Sequence, residues 1–238
     1  GATLEQVLEF QASASARLNE LRNRSARKDT LDADIVQAAS ALRETGAKLS
    51  AARRTAAKKL AEKVRQGLKN LGFAKAEFTI ALEKEPEPAA HGWETAEFQF
   101  APNPGEEARP LRAIASSGEI SRVMLALKSA LADQDDVPVL VFDEIDANVG
   151  GEIAGKVGQK MRELGASRQV LCITHLPQVA ASASHQSVVS KEVKDGRTRT
   201  ILSPSTGKSR EEEIARMLGG KSASALAHAR ALLAGSAS

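Results

Sequence analysis

Val137-Pro-Val-Leu-Val-Phe-Asp-Glu144 is the stretch on which the fold turns. A continuous apolar run bounded by polar residues is the signature of a strand in a parallel sheet. This run ends on two carboxylates, at the carboxyl edge where open α/β sheets bind ligands. Successive strand residues face opposite sides, so Asp143 and Glu144 divide into two roles. One carboxylate can hold Mg²⁺, directly or through water, while the other polarises an attacking water. A solvated strand end with ordinary surface acids has the same sequence, and a short motif does not separate the two readings.

Two neighbouring segments bear on the choice. Downstream, Cys172-Ile-Thr-His175 closes the next strand (169–173). A histidine at that edge can donate to a phosphate, or can be a satisfied polar residue at a strand–helix junction. Upstream, Ala115-Ser-Ser-Gly-Glu119 opens a helix over about 119–132. A Ser/Gly loop there offers free backbone N–H groups and a positive dipole end to an anion; a plain N-cap with an early Glu looks similar. Further out, the pattern predicts helices at 151–164 and 177–183, a hairpin (188–193 and 198–202) turning at Asp195-Gly196, and closing helices near 209–218 and 222–234. Before the loop Pro102–Pro110, two strands carry Phe78, Ile80, Leu82 and Ala96, Phe98, Phe100, joined by the Pro-rich Glu85–Gly92. The alternation predicts an α/β fold with a largely parallel sheet. Gly151, Gly155 and Gly158 share one helix face and are expected to pack on that sheet.

Residues 3 to about 70 read differently: rich in Ala, Leu, Glu, Lys and Arg, and without Pro. Leu31, Ile35, Ala38, Leu42, Thr45, Leu49, Ala52 and Ala56 alternate steps of four and three, the seam of a coiled coil. The steps lengthen to four at Leu60, Val64 and Leu68, as in a helix packed on a globular body. An earlier seam (Leu4, Leu8, Gln11, Ser15, Leu18) is out of register, so the polar Asn23–Thr30 is read as the tip or hinge of an antiparallel hairpin, with Asp29 or Thr30 as N-cap. Residues 1–70 carry 14 Lys/Arg against 8 Asp/Glu, and the rest 19 against 22. Arg54, Lys58, Arg65 and Lys69 fall on one face, with Arg53, Lys59 and Lys63 nearby. Such a stripe suits DNA phosphates without reading sequence, and a solvated coiled-coil face has the same composition. With no Tyr and one Trp, base stacking is disfavoured.

The 238 residues hold a single Cys, which excludes a disulfide framework and fits a reducing cytoplasm. No apolar run approaches the roughly 18 residues of a membrane helix. The chain opens on Gly rather than Met and without a leader, which fits a piece cut from a longer cytoplasmic protein.

Taken in order, Ser-Ser-Gly-Glu opening a helix, an apolar strand ending Asp-Glu, Asp146 just beyond it and a strand ending Thr-His resemble the C-terminal lobe of an ABC-type ATPase head. A coiled coil running into the lobe places the resemblance in the SMC-like branch. The strings Ala115-Ser-Ser-Gly-Glu-Ile-Ser-Arg122, Val141-Phe-Asp-Glu-Ile-Asp146, Ile173-Thr-His-Leu-Pro-Gln-Val179 and Glu213-Ile-Ala-Arg-Met-Leu-Gly-Gly220 closely resemble the RecN family of bacterial DNA repair proteins.

That resemblance implies a domain plan: a coiled-coil arm over 1–70 and an ATPase-head lobe over 71–238. It implies that Ser116, Ser117, Gly118 and Glu119 form the nucleotide-binding signature loop and that Asp146 lies in the D-loop. Asp143 is then the Mg²⁺ ligand, Glu144 the general base and His175 the γ-phosphate switch. The family pattern has Gly-Gly where this chain has Ser117-Gly118. No G-x-x-x-x-G-K-[ST] phosphate loop occurs; Gly207-Lys208-Ser209 and Gly220-Lys221-Ser222 lack the earlier glycine. In the family that loop lies in an N-terminal lobe, so the lobe alone is expected to bind ATP poorly. The implied partners are that N-terminal lobe, a second copy across ATP-sandwiched heads and through coiled-coil tips, and DNA, in a nucleoid-associated cytoplasmic protein. The rival is a non-catalytic scaffold with a degenerate lobe.

Overall fold

Between Thr3 and Asn70 the only residues unfavourable to a helix are Gly46 and Gly67, and in the computed structural model the chain is helical throughout: α1 spans Leu4–Lys69. The structure describes residues 3–194 and 197–235, excluding the side chains of Ser25, Ala26, Asp29 and Lys194. The expected tip or hinge at 23–30 is therefore corrected. That segment is polar but holds neither Pro nor Gly, and the Arg24–Glu20 pair at 2.8 Å supports the helix across its start. The Asp29 side chain lies outside the described residues. Among the described residues α1 is one continuous helix, not the two arms of an antiparallel hairpin. Its end is set by Gly72, at φ +93, with Phe73 N–H reaching back to Leu68 O at 3.1 Å.

After α1 come β1 (Glu77–Ala89), β2 (Gly92–Ala101), β3 (Arg109–Pro110), a 3-10 turn (Leu111–Ala113), α2 (Ser117–Ala130), β4 (Val139–Phe142), α3 (Gly151–Gly165) and β5 (Gln169–Cys172). The chain closes with α4 (Pro177–Ala181), β6 (Gln186–Lys194), β7 (Arg197–Ser205), α5 (Gly207–Met217) and α6 (Ala223–Gly235). The Pro-rich segment expected as a loop continues β1 through Pro86 and Pro88. β1 is an edge strand in the order β1-β2-β3, where a missing N–H costs no ladder bond. The expected turn at Asp195-Gly196 lies outside the described residues.

β4 and β5 pair in parallel, in register from Val139↔Gln169 to Phe142↔Cys172, whereas β2–β3 and β6–β7 are antiparallel. The two-residue period of β4 separates its faces: Leu140 and Phe142 are buried, while Val139 and Val141 are 41% and 64% exposed. Leu171 and Ile173 open the same way. The apolar run thus makes a half-buried strand, not the strand buried on both faces that its composition predicts.

Two units divide the chain: Gly1–Arg54 with Lys84–Thr95, and Thr55–Glu83 with Ala96–Ser238. Packing puts the division at Arg54 rather than residue 70, because Val64 and Leu68 are fully buried in the second unit with Phe78, Phe100, Val123, Leu140, Phe142, Ile145 and Val157. Phe73 meets Phe100 edge-on at 5.2 Å. A smaller core gathers Ile214, Ala215 and Ala229 with Ala180 and Ala181. In the first unit the hairpin tip lies on the helix. Arg53 Nη2 donates to His91 O at 2.6 Å, and a Cβ on Gly46 would stand 2.9 Å from the Trp93 ring. Of the three α3 glycines expected on the sheet, Gly151 and Gly158 face α4 and its C-cap instead, a Cβ on Gly158 closing on Ser182 and Gln178, and one on Gly155 would meet nothing within 4 Å.

Candidate active site

The first turns of α2 meet the turn that follows β4, and Asp146 of that turn meets the 174–176 segment that follows β5. Ser116 is the N-cap of α2, its side chain accepting from Glu119 N–H at 3.4 Å. Ser117, Gly118 and Glu119 make the first turn. Gly118 is required by closeness: a Cβ there would lie 2.9 Å from the Ala147 Cβ and 3.1 Å from Glu144 O. One turn on, Ser121 Oγ donates to Asp143 O at 2.9 Å. The Arg122 guanidinium, buried and 5.0 Å over the Phe73 ring, donates to Ile145 O at 3.3 Å and Ala147 O at 2.9 Å. Burial lowers the pKa of Arg122, against the charge of Glu119, which raises it. The 143–147 turn is therefore held along its backbone by one face of α2. Glu144, at φ +55, takes a left-handed backbone that a non-glycine residue occupies at a cost of about 1–2 kcal/mol. Its carboxylate accepts a hydrogen bond from Ser117 Oγ.

Asp146 is placed otherwise than expected. It is 2% exposed, and its carboxylate accepts from Thr174 Oγ1, from His175 N–H at 3.0 Å and from Leu176 N–H at 3.3 Å. His175 Nδ1 stands 3.3 Å away, with the ring exposed. Asp146, expected in the D-loop, is thus buried beneath the 174–176 segment, with its carboxylate turned to that segment's donors. Burial, reinforced by the charges of Asp146 and Asp143, pushes the neighbouring Cys172 thiol up to about 12, so it stays protonated.

Asp143, Glu144 and His175 are exposed around this edge, and Glu119 is half-buried. Among the described residues no group of three His, Cys, Asp or Glu side chains could enclose a metal ion. Asp143 is a single hard oxygen donor, which fits Mg²⁺ only when other ligands are supplied to it. The groove beside the signature loop, about 510 Å³, is lined by Ser116, Glu119, Ile114, Phe100 and Arg109 among others. The look-alike Gly207-Lys208-Ser209 is occupied by its own helix start: Thr206 N–H donates to Ser209 Oγ at 3.0 Å, and that hydroxyl donates to Thr206 O at 2.7 Å. Lys221 pairs with Glu212 at 2.9 Å.

On α1, Arg54, Lys58, Arg65 and Lys69 are all exposed. Two of them are engaged: Arg54 lies 3.7 Å from Glu94, and Arg65 pairs with Glu62. Sequence reasoning passed over Ser121, Arg122 and Thr174, although each stands inside a quoted motif. Ser121 and Arg122 stand four residues, about one helical turn, beyond Ser117 and Gly118, the spacing that aims them at the same neighbour.

No family model matches the chain. It is 44% identical over 236 residues to the DNA repair protein RecN of Deinococcus radiodurans, covering 99% of this chain and 42% of that protein. For the RecN proteins of Treponema pallidum and Bacillus subtilis the identities are 39% over 241 residues and 35% over 250, covering 98% of this chain and 42% and 43% of theirs. Among solved structures, the Smc head domain with a coiled coil and joint derived from Pyrococcus yayanosii superposes with a TM-score of 0.61 at 18% identity, covering 90% of this chain and 39% of that one. The chain spans about two fifths of the length of the curated relatives it matches. Over that span, with the Ser-Ser-Gly-Glu helix start and the Asp-Glu and Thr-His strand ends of the sequence, the chain is similar to RecN proteins, on a fold like that of an SMC head.

Proposed function

We propose that this chain is the C-terminal ATPase-head lobe and arm of a RecN-type protein that binds and hydrolyses ATP through head dimerisation in the repair and recombination of DNA double-strand breaks. The observation that carries the reading is the gathering of Ser116–Glu119, Asp143, Glu144 and His175 at one sheet edge, on a scaffold fixed by Arg122 and Asp146. Two carboxylates and a histidine at the ends of parallel strands suit phosphate chemistry on a nucleotide presented from outside the lobe. The apolar face of Val139, Val141, Leu171 and Ile173 suits cover by the N-terminal lobe that brings the phosphate loop.

In this reading Glu144 takes the proton of the attacking water, as general base. His175, oriented through its backbone N–H by Asp146, donates to the γ-phosphate. The α2 start, with Ser116 at its cap, presents N–H groups to the γ-phosphate held by a second head. Asp143 would hold Mg²⁺, which when bound neutralises developing phosphate charge. ATP-driven closure of two heads and release on hydrolysis would move the arms.

The test is ATP hydrolysis by the lobe joined to its N-terminal half. Glu144→Gln should lower kcat by about 100-fold or more, the range of a lost general base. An inactive joined protein, or one indifferent to Glu144→Gln, establishes the non-catalytic scaffold instead. DNA contact is read through Arg54, Lys58, Arg65 and Lys69. Reversing all four charges should weaken binding to duplex DNA and flatten its salt dependence; unchanged affinity and slope would remove DNA from this face of α1.

A further inference from the structure

The bond from Ser117 Oγ to the Glu144 carboxylate joins two residues 27 positions apart, both exposed, one on the signature loop and one at the strand end. Where the RecN pattern has Gly, this contact cannot form, because it is made by a side chain. Around it the turn is held at several points. Gly118 is closed against Ala147 and Glu144 O, Ser121 holds Asp143 O, and Arg122 holds Ile145 O and Ala147 O. Glu144 itself stands at φ +55, and its exposed carboxylate reaches across to the first turn of α2.

We propose that Ser117 is a positioning residue that holds the Glu144 carboxylate against the signature loop of its own head in the resting state, and so restrains turnover. The inference rests on the reading of Glu144 as the base. A carboxylate that is to take a proton from water must exchange the Ser117 hydroxyl for that water. The exchange adds its free energy to the chemical step and leaves ATP binding untouched. The signature loop is also the surface a second head engages, so engagement at Ser117 and Gly118 is the event that frees the base. One element is thereby biased from two sites.

The experiment is single-turnover ATP hydrolysis by the full-length protein at saturating ATP, comparing wild type with Ser117→Gly, Ser117→Ala and Ser117→Thr. Removing the hydroxyl should raise the hydrolysis rate constant about three- to tenfold, the weight of one ordinary intramolecular hydrogen bond. The ATP concentration for half-maximal rate should stay the same, and Ser117→Thr should retain the slow rate because it keeps the donor. Thermal unfolding of each variant shows that the folded protein is being compared. Equal or slower hydrolysis in both the Gly and Ala variants overturns the restraint. A Glu144→Gln control separates the two levels. If it abolishes hydrolysis while the Ser117 variants match wild type, the base stands and the restraint falls; if hydrolysis survives it, the base assignment falls and the restraint with it.

Discussion

The two units of the molecule use the same kind of helix for opposite ends. In the unit of Gly1–Arg54 and Lys84–Thr95, Leu31, Ile35 and Leu42 stand 51%, 64% and 50% exposed. In the other, Val64 and Leu68 on that same helix are fully buried. Both halves are Ala-, Leu- and charge-rich with nothing to break them, so propensity and i,i+4 pairs such as Lys48–Glu44, at 2.6 Å, explain why both are helical. They do not explain stability. Most helical stability comes from packing an apolar face, and only the inner half has one packed within the chain. The heptad seam of the outer half is a surface awaiting another helix.

Four measurements would break or sharpen that contrast. Leu68→Ala should destabilise the folded chain by about 2–5 kcal/mol in denaturant unfolding, while Leu42→Ala should change it by less than about 0.5 kcal/mol; comparable losses at both sites would erase the distinction. Next in size is Asp146→Ala, which leaves Thr174, His175 N–H and Leu176 N–H without their shared acceptor. It should cost about 1–3 kcal/mol and raise amide exchange at 174–176; an unchanged exchange rate there would deny Asp146 its positioning role. Gly46→Ala tests a place where the outer unit does pack. The added methyl meets the Trp93 ring, so stability should fall by about 1 kcal/mol and Trp93 fluorescence should shift to the red, with no shift expected if the hairpin tip does not rest on the helix. The smallest effect is on Cys172, whose thiol sits at about 12 through burial and the nearby Asp146 and Asp143 charges. At pH 8 its alkylation should be far slower than in the unfolded chain, and equal rates would show the β5 edge to be open. Because the folded state keeps this proton where the unfolded state gives it up near 9, its contribution to stability is present below that pH and declines above it.

Much of the candidate site is legible in the chain because its parts are local signals. Ser-Ser-Gly-Glu is an N-cap and first turn, Val137–Phe142 a strand, and Asp-Glu and Thr-His the residues at which strands stop. What escaped was what these segments do to one another. Asp146 is expected in the D-loop among the nucleotide-binding residues, and the structure makes it the buried acceptor beneath His175. Arg122 reads as a charged position on a helix, yet it lies under the turn that carries Glu144. The hinge at 23–30 failed for a related reason: a shift of seam register and a polar stretch describe which face is apolar, not whether the backbone bends, and only Pro, Gly or an inserted group does that.

The order of letters was enough to specify a long basic helix, an α/β lobe and three motif ends in the spacing of an SMC-type head, because propensity, hydrophobic period and turn chemistry act over a few residues. Whether an apolar strand is buried on one face or two, which of two neighbouring acids is buried, and whether a hydroxyl at residue 117 meets a carboxylate at 144 were settled by packing. Those outcomes depend on distances between segments far apart in the chain, and a linear pattern carries no measure of them.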